Sequence, residues 1–149
     1  MDQTVIEELF KIILSLMLSS CIGLEREFKH KGAGLRTHLL VGVGSTLFTL
    51  TALFLQQEFE GRVPMDPSRL ITGVVTGIGF LCAGAIMRAG SSVHGLTTAA
   101  SLWVVSGIGI AVGCGHYSAA VLTTVTVIVI LIAVLQLEKL IYNKMSDKN

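Results

Sequence analysis

Five long apolar segments constrain this chain more than any other feature of its sequence. They span approximately residues 5–24, 36–56, 70–87, 96–115 and 117–137. Each is close to the roughly 20 apolar residues that a helix needs to cross a bilayer. Charged residues make up 14% of the 149 residues, whereas an average soluble domain contains about 25%. We therefore expect an all-α polytopic membrane protein, with residues 1–149 forming a single transmembrane domain in a lipid bilayer.

The basic residues predict the orientation of the five crossings, because short cytoplasmic loops are enriched in Lys and Arg. With five crossings, one side of the membrane carries eight basic residues, which are Arg26, Lys29, Lys31, Arg36, Arg88, Lys139, Lys144 and Lys148. The other side carries three, which are Lys11, Arg62 and Arg69. We therefore expect the N-terminus outside the cell and the C-terminus in the cytoplasm.

Glycine is concentrated in the third segment, although it destabilises a helix interior by roughly 1 kcal/mol relative to alanine. On a helical wheel, the small residues of this segment share one half and the large residues share the other. Helices in lipid associate by close backbone approach at such small residues. Helix packing is therefore expected at Gly73, Gly77, Gly79, Gly84 and, in the fourth segment, Gly107, with the third helix at the centre of the bundle. The alternative is a local helix break at residues 77–79 that exposes backbone carbonyls to an ion.

Ionisable residues are missing from the middle of every predicted crossing. Proton and cation pathways usually place such residues at membrane depth, and magnesium usually takes a carboxylate ligand. The sequence also contains no catalytic motif and no metal-ligand cluster, so we expect neither an enzyme nor a cofactor. The net charge of +1, without a basic stripe, argues against nucleic acid as a partner.

Charged residues near the predicted cytoplasmic boundary have two interpretations. Glu25, Arg26 and Glu27 close the first crossing, Arg36 opens the second and Arg88 ends the third. These residues either anchor the helices in the headgroup layer or form a paired network. Because the arginine fork matches a carboxylate, we predict at least one ion pair that joins Arg36 or Arg88 to Glu25 or Glu27.

The start of the third crossing has the composition of a helix N-terminus. Asp66 is followed directly by Pro67, and Ser68 and Arg69 come next. Aspartate is favoured at the N-cap because its side chain accepts a hydrogen bond from a free backbone N–H, and proline is favoured at the first helical position. We therefore expect Asp66 to cap this helix.

Four motifs, taken in order, resemble the transmembrane domain of the MgtC/SapB family. They are GLEREFKHKGAGLRTHLLVGVGS (23–45), DPSR (66–69), GIGFLCAGAI (77–86) and GLTTAASLWVVSGIGIAVGCG (95–115). The resemblance runs from about residue 23 to residue 117, and it departs from the family pattern at Cys82, where the family usually has glycine. Virulence-associated members also carry a soluble C-terminal domain. Because this sequence ends shortly after the fifth crossing, we expect a short form that consists of the transmembrane domain alone.

The resemblance implies a multi-pass protein of the bacterial cytoplasmic membrane that supports growth in low magnesium and, in pathogens, intracellular survival. One implied function is a non-enzymatic modulator of membrane energetics or ion homeostasis. Such a modulator would contact another membrane protein, such as the F-type ATP synthase, or a second copy of itself in a homo-oligomer. The alternative is a transporter or channel for magnesium or another ion that uses the glycine-rich third helix. The candidate functional residues implied by the resemblance are Glu25, Arg26, Glu27, Arg36, Thr37, Asp66, Arg69, Thr97 and Thr98.

Overall fold

The computed structural model describes residues 3–60 and 66–146, which form five helices and one short hairpin. The helices run Gln3–Phe28 (α1), Leu35–Glu58 (α2), Ser68–Ala85 (α3), Leu96–Gly113 (α4) and Tyr117–Ser146 (α5). Strands Met87–Ala89 (β1) and Ser92–His94 (β2) pair in antiparallel fashion between α3 and α4. The predicted all-α fold class is confirmed, and the hairpin is a small addition that the sequence did not predict.

Four of these helices, α2 to α5, are long and apolar enough to cross a membrane. The first helix has the length but carries charged residues toward both ends, with Glu7, Glu8 and Lys11 near its start and three more at residues 25–27. Its uncharged stretch, residues 12–24, rises about 20 Å as a helix, which is shorter than a bilayer core of roughly 30 Å. The chain is therefore a multi-pass membrane protein, and a full crossing by α1 stays a prediction.

The helices alternate in direction through the bundle. Arg26 near the end of α1 reaches Thr98 near the start of α4, and His38 near the start of α2 reaches the same region of α4. At the opposite end, the ring of Phe10 in α1 packs edge-on against Tyr117 at the start of α5, with ring centroids 5.5 Å apart. This alternation matches the predicted order of the crossings. Which end faces the cytoplasm stays a prediction.

The fourth helix, and not the third, is the centre of the bundle. Ten of the 18 residues of α4 are buried, whereas one of the 18 residues of α3 is buried. Ile78 is the buried residue of α3, whereas the buried residues of α4 cover about half of its circumference. The prediction that the third helix lies at the centre is therefore wrong. Its small residues face outward. A face of small residues permits another helix to approach closely, but it does not specify which helix does so.

Close helix contacts are made by glycines other than the predicted ones. A Cβ added to Gly109 would meet the carbonyl oxygen of Gly42, and one added to Gly113 would lie 2.6 Å from the Cβ of Thr49. These glycines therefore allow α2 and α4 to approach each other closely. At the five predicted packing positions, an added Cβ meets nothing within 4 Å among the described residues; these are Gly73, Gly77, Gly79, Gly84 and Gly107. No described residue of this chain packs closely at these five positions, and helix packing there stays a prediction.

The third helix is continuous from Ser68 to Ala85, so the alternative of a break at residues 77–79 is not observed. The carboxylate of Asp66 accepts a hydrogen bond from the backbone N–H of Ser68, at 2.9 Å from Oδ1. This bond satisfies one of the free N–H groups at the start of a helix. Asp66 therefore has the capping contact that the sequence predicts.

Two helices end at a residue with a left-handed backbone. Gly115 follows α4 with φ of +82°, a conformation that glycine adopts without strain. His30 follows α1 with φ of +51°, and the N–H of Lys31 bonds to the carbonyl of Arg26 at 3.1 Å, which closes the helix with a wide turn. A side chain in this conformation is strained, since its Cβ approaches the following carbonyl oxygen.

Candidate functional site

Arg26 has the largest fully buried side chain among the described residues, with a relative exposure of 2%. Its Nη2 donates a hydrogen bond to Oγ1 of Thr98 at 3.1 Å, and its Nη1 lies 3.8 Å from Oε2 of Glu25. Burying a charge away from water is costly unless the charge is paired and hydrogen-bonded. Thr98 and Glu25 therefore help to keep Arg26 between α1 and α4.

Glu25 and Arg26 have polar atoms with no hydrogen-bond partner in the described part of the chain. Both carboxylate oxygens of Glu25 are buried and unpartnered, and so is Nε of Arg26. At 3.8 Å, the Glu25–Arg26 pair is held by charge attraction and is too long for a hydrogen bond. The pair thus keeps two acceptor oxygens and one N–H donor free for another group.

His38 joins the site from the start of α2, and it is fully buried. Its Nδ1 lies 2.8 Å from the carbonyl oxygen of Gly34, so Nδ1 donates to that carbonyl. Its Nε2 lies 3.0 Å from Oγ of Ser101, which in turn is 2.8 Å from the carbonyl of Thr98. His38 and Ser101 therefore connect α2 to the turn of α4 that also holds Arg26. We call Glu25, Arg26, His38, Thr98 and Ser101 the buried polar cluster.

Glu27 has a different role, next to this cluster. Its carboxylate accepts a hydrogen bond from the backbone N–H of Leu35 at 2.9 Å. Leu35 is the first residue of α2, so this bond satisfies an N–H group that has no partner within the helix. A Cβ on Gly34 would collide with the same carboxylate, so the segment between α1 and α2 packs closely against Glu27 where α2 begins.

The other predicted functional residues lie outside the buried polar cluster. Arg36, Thr37 and Thr97 are exposed at the same end of the bundle. Asp66 and Arg69 are at the start of α3, where hydrogen bonds from Ser68 and the nearby Arg69 hold the pKa of Asp66 below its ordinary value. Three of the nine predicted residues are therefore brought together directly, namely Glu25, Arg26 and Thr98.

The predicted ion pair between Arg36 or Arg88 and a glutamate is wrong. Within residues 3–60 and 66–146, the ion pairs join Lys11 to Glu7 and Arg26 to Glu25. Nε of Arg88 instead donates to the carbonyl of Gly90 at 3.3 Å, inside the hairpin. A paired network does exist at this end, but its arginine is Arg26, because residue 26 points into the bundle.

Hydroxyl side chains extend from the buried polar cluster along the interface of α1, α2 and α4. Ser45 donates to Ser106 at 3.0 Å, and Thr46 donates to the carbonyl of Gly109 at 2.9 Å. Ser15 and Ser19 of α1 are buried there without a hydrogen-bond partner in the described chain. The seam thus links helices by hydroxyl contacts and contains no ionisable group. No set of three or more His, Cys, Asp or Glu residues that could hold a metal ion is found within the described ranges.

His38 and this seam are not among the predicted site residues, although the sequence contains a signal for them. In α2, His38, Gly42, Ser45 and Thr49 recur every three or four residues within an otherwise apolar helix. That spacing places small and polar residues on one face. Because single serines and threonines in apolar helices often bond only to their own backbone, this spacing alone does not establish a polar interface.

Comparison with known proteins gives consistent matches. A family model described as the MgtC family matches residues 12–140. "Putative magnesium transporter YhiD" of Escherichia coli (strain K12) is 39% identical over 140 residues, which are 93% of this chain and 65% of that protein. "Protein MgtC" of Salmonella typhimurium (strain LT2) is 38% identical over 120 residues, which are 80% of this chain and 49% of that protein. No solved structure matches the chain.

The chain spans between about half and two thirds of the length of these curated relatives. The family match covers α2, α3 and α4 completely, together with most of α1 and α5. It thus includes the whole buried polar cluster and the hydroxyl seam. With this match over most of its length, the chain belongs to the MgtC family.

Proposed function

We propose that this chain is a non-enzymatic membrane protein that modulates ion homeostasis, or membrane energetics, by contacting another membrane protein through α3. Family membership and the magnesium-related name of YhiD favour a role in adaptation to low magnesium. The proposed place of action is the bacterial cytoplasmic membrane. The F-type ATP synthase is one candidate partner, and a second copy of the chain is another.

The observation that carries this proposal is the outer face of α3, which we define as Thr72, Thr76, Gly79, Phe80 and Ala83. All five residues are exposed, and Phe80 has a relative exposure of 82%. The spacing of three and four residues places the four small ones along one side of the helix, away from the buried Ile78. Such a face lets a second helix approach closely in lipid. No described segment of this chain covers it.

Two further observations favour a modulator over a transporter. The glycine-rich helix is unbroken, so it presents no free backbone carbonyls to an ion at residues 77–79. In the polar interior, Gly42 and Gly109 bring α2 and α4 into backbone contact. The middle of the helices described also carries no ionisable residue, whereas ion pathways usually place one at that depth.

The proposal is tested by complementation of a deletion strain in medium with low magnesium. Gly79→Leu and Ala83→Leu place large side chains on the outer face of α3, so both variants are expected to lose complementation while remaining folded. Thr126→Leu is the matched control, because Thr126 is also exposed in a membrane-spanning helix but lies in α5. Full growth of both α3 variants would overturn the proposed contact.

Photocrosslinking from position 76 would then identify the partner in the native membrane, with a probe at position 126 as the control.

A flux assay tests the alternative function directly. Purified protein in liposomes is expected to carry no magnesium or proton flux. A flux that depends on the protein and disappears with Gly77→Leu would replace the modulator with a transporter.

A further inference from the structure

A groove of about 670 Å³ lies between α2 and α3 and opens to the outside of the bundle. One wall runs along α2 from Arg36 to Phe48, and the other runs along α3 from Leu70 to Leu81. Gly73 and Gly77 make the α3 wall shallow, and an added Cβ at either position meets nothing within 4 Å among the described residues. The groove is thus wide because side chains are missing from its wall.

Polar residues are confined almost entirely to one end of the groove. Arg36 and Thr37 lie at that end, Ser45 lies further along, and the remaining lining is apolar. From Arg36 to Phe48 the helix rises about 18 Å, which is close to half the thickness of a bilayer core of roughly 30 Å. The groove is therefore about as long as one leaflet of the bilayer core is thick.

The charge at the polar end is available to a ligand. Arg36 is exposed, and neither of the ion pairs in the described part of the chain includes it. The neighbouring carboxylate of Glu27 is bound to the N–H of Leu35. A free guanidinium offers a planar fork of donors that matches two phosphate oxygens. The Thr37 hydroxyl supplies another donor beside it.

We propose that this groove binds one anionic phospholipid. Arg36 and Thr37 hold its phosphate, and one of its acyl chains lies along the wall formed by Gly73 and Gly77. The matching charge, the length of one leaflet and the apolar lining together favour a lipid over a polar ligand. A zwitterionic lipid would gain the same apolar contacts, but its own cation would offset the attraction between its phosphate and Arg36. This site is separate from the outer face of α3.

Quenching by brominated lipids provides the test, because the chain contains a single tryptophan. In the double variant Trp103→Phe, Phe48→Trp, the single tryptophan is at position 48, which lines the groove. The quenching of its fluorescence is compared between vesicles of brominated phosphatidylglycerol and vesicles of brominated phosphatidylcholine. We expect phosphatidylglycerol to bind about five times more strongly, which is the factor expected for roughly 1 kcal/mol from one arginine near a membrane surface.

Variants at the polar end identify the source of this preference. Arg36→Gln is expected to abolish it, whereas Arg36→Lys keeps the charge and should retain part of it. Lys31→Gln is the matched control, since it removes a charge from the loop that precedes α2 and should leave the preference unchanged. A tryptophan at the exposed Val129 of α5, again with Trp103→Phe, should show no preference between the two lipids.

A second pair of variants tests the groove itself. Gly77→Leu fills its wall and should remove the preference, whereas Gly79→Leu, on another side of α3, should keep it. Equal binding of the two lipids, or a preference that survives Arg36→Gln, would overturn the proposal. Crosslinking of two chains through cysteines at Phe48 would also overturn it, because a second copy would then occupy the groove. Failure of the α3 contact in complementation leaves these outcomes unaffected.

Discussion

At the scale of single residues, Arg26 depends on a neighbour that is distant in the sequence. Its hydrogen bond to Thr98 connects α1 to α4, and both side chains are almost completely buried. Removing one partner of a buried charged hydrogen bond leaves the other without compensation. The energetic importance of Thr98 therefore exceeds what its small side chain suggests.

Thr98→Val keeps the size of the side chain and removes the hydroxyl that Arg26 contacts. We expect this variant to lower the free energy of unfolding by about 1–3 kcal/mol, since the guanidinium loses a buried acceptor. Thr97→Val provides the control, because Thr97 is the exposed neighbour. Denaturant unfolding in detergent, followed by circular dichroism, measures both. Equal stability of the two variants would show that the Arg26–Thr98 bond contributes nothing.

The end of α1 gives a second prediction at this scale. His30 adopts a left-handed conformation that costs an L-residue roughly 1–2 kcal/mol and costs glycine little. We therefore expect His30→Gly to stabilise the protein by about 1 kcal/mol, seen as a higher melting temperature. Lys31→Gly is expected to give no gain, since Lys31 is not in the left-handed region. A lower melting temperature for His30→Gly would mean that a contact of the His30 side chain stabilises the protein by more than the backbone strain destabilises it.

At the scale of helices, two glycines that look alike in the sequence have opposite environments. Gly107 and Gly109 are both in α4, two residues apart. An added Cβ on Gly109 meets the backbone of Gly42, whereas one on Gly107 meets nothing within 4 Å in the chain as described. Sequence spacing alone cannot distinguish them, because each belongs to a plausible face of small residues.

Alanine at these two positions should have opposite effects. Gly109→Ala forces α2 and α4 apart and is expected to cost about 1–3 kcal/mol, as for other overpacked interiors. Gly107→Ala should be neutral or stabilise by up to about 1 kcal/mol, because alanine is the better helix former. Thermal unfolding of the two variants in the same detergent gives the comparison. A destabilised Gly107→Ala protein would indicate that another chain packs at that position.

This contrast also explains which parts of the fold were predictable. Hydrophobic length predicted the helices, and local chemistry predicted that Asp66 would cap α3, since both depend on residues that are close in the sequence. The neighbour of each small face depends on tertiary contacts between residues far apart. Spacing therefore predicts a packing partner for the α3 glycines that no described residue of this chain provides, and it does not indicate that His38 faces α4.

At the scale of the whole molecule, the alternating helices make the orientation testable. The buried polar cluster and the hairpin lie at one end, and the start of α3 lies at the other. The positive-inside rule predicts that the end with the buried polar cluster faces the cytoplasm. The structure supplies the relative placement of these ends, while the absolute orientation rests on the charges in the sequence.

Cysteine accessibility checks this orientation in intact cells. After replacement of Cys21, Cys82 and Cys114, a cysteine at Asp66 should react with an impermeant maleimide from outside. A cysteine at Lys31 should react only after the membrane is permeabilised, and so should one at Lys144, which lies at the end of α5. External labelling at Lys31 would reverse the predicted orientation. External labelling at both Asp66 and Lys144 would indicate an even number of crossings between these two positions, in place of the three expected from α3, α4 and α5.

The long-range bond between Arg26 and Thr98 also has a consequence for biosynthesis. The two residues are 72 positions apart, so a ribosome adding about 5–20 residues per second needs roughly 4–14 s to deliver the acceptor after the arginine. During that interval α1 cannot bury its guanidinium against α4. Until α4 has been synthesised, groups other than Thr98 must therefore compensate the guanidinium of Arg26, and the order of translation becomes part of how this bundle assembles.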